Sequence, residues 1–170
     1  SDGCLMVTKK KTVGLPVETR RIIEDFITDY AHMIDDDRLE EWPDCFTAKC
    51  TYRIINRENF TRGSAVGVME CSSRGMLQDR IKALREANVY EPHCYRHILS
   101  GIRVRYRRDE RYSVETSFVV VRTMQEGAMS VFAAGKYVDE IIFQDDEPRF
   151  EKRIVVCDSV RIDTLLVIPI

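Results

Sequence analysis

Arg85-Glu86-Ala87-Asn88-Val89-Tyr90-Glu91-Pro92-His93-Cys94-Tyr95-Arg96-His97-Ile98-Leu99 is the stretch on which the reading of this chain turns. Before it, apolar residues recur at helical spacing; after it, they alternate. It also holds two of the three histidines and one of the six cysteines. It is therefore both the junction between two kinds of structure and the first place to look for a metal or an active site.

Upstream of the junction, Met76, Leu77, Ile81 and Leu84 fall on one helical face, with Arg80, Lys82, Arg85 and Glu86 around the rest and Ser72 or Ser73 as the cap. The polar segment Asn56 to Gly63 reads as a loop, and Thr51 to Ile55 as a strand by its β-branched and aromatic content. Leu39, Trp42 and Phe46 space a short helix whose end Pro43 and Thr47 encourage. Earlier still, Ile22, Ile23, Phe26, Ile27, Tyr30, Ala31, Met33 and Ile34 form the broad stripe of a long helix. Pro16 suits its first turn, where a missing N–H costs nothing, and Asp35-Asp36-Asp37 ends it.

Downstream, Ile102, Val104 and Tyr106 alternate with Arg103, Arg105 and Arg107, the period of a half-buried strand with Tyr106 on its apolar side. Val114 to Thr123, Ser130 to Phe143, Phe150 to Cys157 and Thr164 to Ile168 are further strands, joined by short polar turns that suit antiparallel neighbours. Helices first and long strands after predict an α+β fold, its N-terminal helices packed on one face of a strongly curved, mostly antiparallel sheet.

A chain of 170 residues makes one domain with a core of its own. Residues 1–14 are expected to be a flexible arm and residues 15–170 the domain. The net charge of −2 creates no field to gather nucleic acid or an anionic membrane. No apolar run approaches the roughly 18 residues of a membrane span, and Lys9 to Lys11 precede no apolar segment of a secretory leader. The cysteines include no C-x-x-C pair, which predicts scattered thiols in a reducing cytoplasm.

The candidate chemistry dissolves on spacing. A Rieske iron–sulfur centre needs C-x-H as well as C-x-x-H; Cys94-Tyr95-Arg96-His97 supplies only the second, and no C-x-H occurs in the chain. His93 and His97 are four apart, and along a strand that separation is about 13 Å, too far for one metal ion. Cys94 and His97, three apart, point to opposite faces. Asp35 to Asp37 lacks the glycine and distal Glu of a Ca²⁺ loop, and no phosphate-binding or nucleophile motif is present. His32, near a helix C-terminus and Asp35 or Asp36, is a general-base candidate at most. Two classes survive: a subunit whose exposed sheet binds a partner, and a small enzyme using His32 with Asp35, or His97, in a pocket between helices and sheet.

Several strings decide between these classes by resemblance. They are Tyr30-Ala31-His32-Met33-Ile34-Asp35, Leu39-Glu40-Glu41-Trp42-Pro43-Asp44-Cys45-Phe46 and Cys50-Thr51-Tyr52-Arg53, then Leu77 to Tyr90, Tyr95-Arg96-His97-Ile98-Leu99, Val131 to Tyr137 and Lys152 to Ser159. Over residues 18 to 170 the chain resembles the small (beta) subunits of bacterial aromatic-ring-hydroxylating dioxygenases, within the nuclear-transport-factor-2-like, cystatin-like cone folds. Arg85 to Tyr90 and Tyr95 to Leu99 are most similar to the branch acting on aromatic acids, nearest the terephthalate enzymes, with anthranilate, salicylate and halobenzoate oxygenases close by. The resemblance implies a subunit with no catalytic, cofactor-binding or metal-binding residues of its own. The Rieske [2Fe–2S] cluster and mononuclear iron would sit in a large (alpha) subunit, fed from NADH by a separate reductase. The expected partners are that large subunit and other copies of this chain, three of each. Arg103 and Arg105 would then pair with carboxylates across an interface.

Overall fold

Pro16, with φ −52°, opens the first helix, α1 (Val17–Asp35), which buries Ile23, Ile27, Tyr30, Ala31 and Ile34 along one stripe. A computed structural model of the chain describes residues 14–87, 92–159 and 169–170. The helix stops where Asp36 leaves helical geometry and Asp37 turns left-handed at φ 58°. A short 3-10 turn follows at Trp42–Cys45, not a full helix, and Pro43 begins it instead of ending it. The reason is that proline belongs in a first turn, where no backbone donor is required.

Strand β1 (Phe46–Asn56) leads into a short helix, α2 (Arg57–Thr61), where the sequence suggested only a loop. The side chain of Asn56 caps it, accepting the N–H of Asn59 at 2.8 Å. Strand β2 (Met69–Cys71) precedes helix α3 (Arg74–Ala87), whose Leu77, Ile81 and Leu84 are buried. Ser73 caps α3 through the Met76 N–H. Met76 itself stands 43% exposed, a departure from the expected apolar face, because it lies in the first turn beside Ser72.

Strands β3 (His93–Tyr106), β4 (Tyr112–Met124), β5 (Met129–Gln144) and β6 (Glu147–Cys157) complete an open six-stranded sheet in the order β2-β1-β6-β5-β4-β3. Among the described residues only the β1–β6 pair is parallel. Bulges interrupt the ladders between Ser100 and Arg103, Val120 and Val121, and Glu140 and Ile141. Each inserts local bend and twist, which is how strands this long wrap around the helices. Gly101 makes the first bulge possible with φ 61°. Gly135 answers a different need: a Cβ there would stand 1.9 Å from the carbonyl oxygen of Val156 on β6.

The first bulge also reassigns the faces. His93, Tyr95, His97 and Leu99 point inward before it, and Ile102 and Val104 after it. Tyr106 keeps the inward parity but is 55% exposed at the open end of the strand, against Tyr112. α1 and α3 pack on the inner face. α2 lies on the outer face, where Phe60 covers Ile55, Ile154, Val156 and Val138. The expectation of helices on one face alone is corrected to that extent: five residues capped by Asn56 suffice to shelter a small apolar patch. The expected strand 164–168, and the arm apart from Gly14, lie outside the described residues. No described helix is long and apolar enough to cross a membrane.

Candidate functional site

The end of α1 and the middle of β3 bring Asp35 and His97 together. One carboxylate oxygen of Asp35 accepts the backbone N–H of His97 at 2.8 Å, and the other lies 2.6 Å from its ring Nδ1. Both side chains are buried, and exposed Arg96 approaches the same carboxylate at 3.8 Å. A carboxylate beside Nδ1 favours the tautomer that donates from that nitrogen and turns Nε2 into the acceptor. Nε2 is buried and has no hydrogen-bond partner among the described residues. The ring follows Tyr95, itself stacked on Phe132 at 5.1 Å. The pair therefore clamps helix to sheet, and it has the form of a base held by an acid. The described clefts, all over the outer sheet face, are lined by neither residue.

Deeper inside, Arg153 on β6 donates Nε and a terminal NH to the two carboxylate oxygens of Asp139 on β5, at 2.9 and 2.8 Å. The two residues are Cα partners in the ladder, and neither side chain is exposed. The guanidinium is sandwiched by the rings of Tyr30, Tyr137 and Phe150, 4.0–4.2 Å from their centroids. Burial works against the charge on Arg153, but Asp139 more than offsets it and holds the guanidinium above its ordinary value. Burial likewise pushes Asp139 up, against the pull of Arg153. Burial also raises Tyr30 to about 12, and Cys45 and Cys157 to about 12. Trp42 donates its indole N–H to Tyr30, and the hydroxyl of Tyr52 bridges the backbone N–H and carbonyl of Ile170. Aromatic rings, an ion pair and Ile170 thus fill the interior of the cone.

The outer face is built differently. Helix α2, the β3–β4 turn and the floor of β5 and β6 enclose a cleft of about 530 Å³ lined by Phe60, Tyr112, Val138 and Ile154 with Arg107, Arg108, Arg111 and Lys152. A second cleft of about 640 Å³ lies on the other side of Phe60, between Arg57, Lys136 and Asp158. Toward the opposite end of the strands the face is apolar, with Ile98 55% and Val131 70% exposed.

His97 and Asp35, two of the candidates read from the sequence, thus meet, although with each other and not with His32. His32 is exposed and only its backbone carbonyl takes part in the helix end. His93 and His97 lie on one strand with Tyr95 between them, and Cys94 is exposed on the other side. Among the described residues no three His, Cys, Asp or Glu side chains stand close enough to hold one metal ion. Arg103 is paired within the chain, 3.7 Å from Glu115, whereas Arg105 has no such partner among the described residues. The Arg153–Asp139 pair escaped the sequence reading. Asp139 does alternate with inward Tyr137 and Ile141, but Arg153 reaches the inner face only because the bulge beside Glu151 shifts the parity set by Phe150.

Three comparisons bear on this arrangement. The model of the SnoaL-like domain family matches residues 16–154. The anthranilate 1,2-dioxygenase small subunit of Burkholderia cepacia is 43% identical over 83% of this chain and 88% of its own. Subunit beta 1 of the terminal oxygenase component of terephthalate 1,2-dioxygenase from Comamonas is 43% identical over 87% of this chain and 96% of its own. Among solved structures, a beta subunit assigned to an aromatic-ring-hydroxylating dioxygenase of Novosphingobium aromaticivorans superposes with a TM-score of 0.83 at 39% identity, covering 90% of this chain and 97% of that one.

Proposed function

On the premise that this chain belongs to the SnoaL-like domain family and, within it, to the small subunits of aromatic-ring-hydroxylating dioxygenases, we propose that it is the non-catalytic structural subunit of a terminal oxygenase acting on an aromatic acid. Its large partner would carry the Rieske cluster and mononuclear iron and perform the NADH- and O₂-dependent cis-dihydroxylation in the cytoplasm. The small subunit would hold three large and three small chains in register. Terephthalate is the leading substrate class for that partner, with anthranilate beside it.

The observation that supports this reading is the contrast between an interior packed with described side chains and an outer face where Arg105, Arg107, Arg108 and Lys152 have no carboxylate partner among the described residues, beside pairs such as Arg103–Glu115 and Arg111–Glu151. The space that a cone-fold enzyme would keep for substrate is occupied by Trp42, Phe46, Tyr52, Tyr137, Phe150, Arg153 and Ile170, all 0% exposed. The outer face presents cations and apolar side chains in excess of what the chain itself uses. A second reading, a stand-alone dehydratase or isomerase, is favoured by one feature only, the Asp35–His97 pair with its Nε2 unpartnered among the described residues. Co-expression with a large subunit bearing both Rieske motifs separates the two. The subunit reading expects a brown complex that co-purifies through a tag on this chain. A chain that stays alone, and turns over a hydroxylated aromatic by itself, overturns it.

A further inference from the structure

Two sets of charge at the same end of the sheet, opposite in sign, have no ion-pair partner among the described residues. Arg107, Arg108 and Lys152 line the cleft beside Phe60 and have no carboxylate partner among the described residues; Arg107 uses its Nε on the hydroxyl of Ser113. Arg111 in the same cleft is spent on Glu151. Of the acids there, Glu140 faces the cleft and Asp139 turns its carboxylate inward to Arg153, while Asp109 and Glu110 form the β3–β4 turn. Across the sheet end, Asp145 and Asp146 make the two-residue turn between β5 and β6, with φ 52° and 63°. Both are exposed and have no cation partner among the described residues, whereas Glu147 is held by Arg149 at 2.6 Å. Tyr112 pairs with Ile141, which places both turns at one end of the molecule.

We infer that the acidic β5–β6 turn of one copy docks into the basic cleft of a second copy of this chain, a head-to-tail contact that closes copies into a ring. The inference rests on the small-subunit reading, which supplies several copies per assembly. Each copy carries both halves, so each gives one turn and receives one, the condition for a closed ring. A two-residue turn is narrow enough to enter a cleft of about 530 Å³. There the carboxylates of Asp145 and Asp146 meet the guanidiniums of Arg107 and Arg108 and the ammonium of Lys152, against the apolar floor of Phe60, Val138 and Ile154. Such pairs select partner and register.

The test is a charge exchange read by native mass of the complex co-expressed with its large subunit. One variant reverses the turn with Asp145→Asn and Asp146→Lys, keeping at the first position a residue tolerant of left-handed backbone. A second reverses the cleft with Arg107→Glu and Lys152→Glu, and a third carries all four substitutions. Each reversal alone should weaken association between copies by about tenfold or more and leave single large–small pairs, and the fourfold variant should restore the full mass. Unchanged mass in either reversal, or no restoration by all four, overturns the docking. So does release of the large subunit by the cleft reversal alone, which would make an acidic segment of that subunit the occupant. The large subunit's attachment to the wild-type chain reports separately on the small-subunit reading. If it never attaches, the same variants compared by sedimentation of this chain alone still decide the docking.

Discussion

Arg153 and Arg107 stand on opposite faces of one sheet and are treated in opposite ways. Arg153 points inward and is paired within the chain: Nε and Nη2 bond to Asp139 and three aromatic rings surround its guanidinium, while Nη1 is buried with no hydrogen-bond partner among the described residues. Arg107 points outward, donates to Ser113, and has no carboxylate to neutralise it among the described residues. A charge taken from water must be paired or the fold does not hold, whereas a charge left in water is free to serve a partner. The inner face thus accounts for stability and, on the proposed function, the outer face would serve assembly, so substitutions on the two faces should separate those properties.

The largest effect is expected at the inner pair. Arg153→Met leaves Asp139 buried without a counter-charge and should cost about 3–5 kcal/mol in urea denaturation. Pairing it with Asp139→Leu should recover most of that loss, since an apolar pair of similar volume removes the orphaned charge. If the single variant unfolds at the wild-type midpoint, the inner face does not depend on this pair. The outward Arg105→Glu is the contrasting case. It should move stability by no more than about 0.5 kcal/mol while weakening recovery of the large subunit, a result that sharpens the division between faces.

Asp35 comes next. Asp35→Ala orphans the N–H of His97 and its ring Nδ1–H, and should cost about 1–3 kcal/mol, with faster amide exchange at His97. Asp35→Asn, which keeps one acceptor, should cost less. Equal losses in both would show that the clamp acts by packing and not through its hydrogen bonds.

The smallest effect in the ordinary pH range is alkaline. Burial raises the thiols of Cys45 and Cys157 from 9.0 to about 12 and the phenol of Tyr30 from 10.0 to about 12. As pH rises, the unfolded chain releases these protons first, so it binds fewer than the folded chain and stability falls. The contribution is whole below pH 9 and is lost between 9 and about 12. The urea midpoint should therefore be flat in these groups from pH 7 to 8.5 and decline by pH 10.5, and a flat profile to 10.5 would mean that they are solvated.

The junction from Arg85 to Leu99 was legible because two strong periods meet there, and α3 and β3 lie on its two sides. Helix α2 was not legible, since five residues are too few to show a helical period; only Asn56, a good cap, marked it. Asp35 reads from the sequence as the end of a helix or a partner of His32, and His97 as a separate candidate. Their meeting was not legible, because 62 residues separate them and only the tertiary fold closes that gap. Arg153 and Asp139 were hidden for another reason. Alternation with Tyr137 and Ile141 suits an inward Asp139, but the bulge that turns Arg153 inward and the ladder that sets it opposite Asp139 leave no mark in the sequence.

The mass of the complex recovered through a tag on this chain, after co-expression with a large subunit carrying both Rieske motifs, tests the central claim most directly. The account predicts large and small chains in equal numbers, three of each, with iron present. A monomer of this chain free of any large subunit would contradict it.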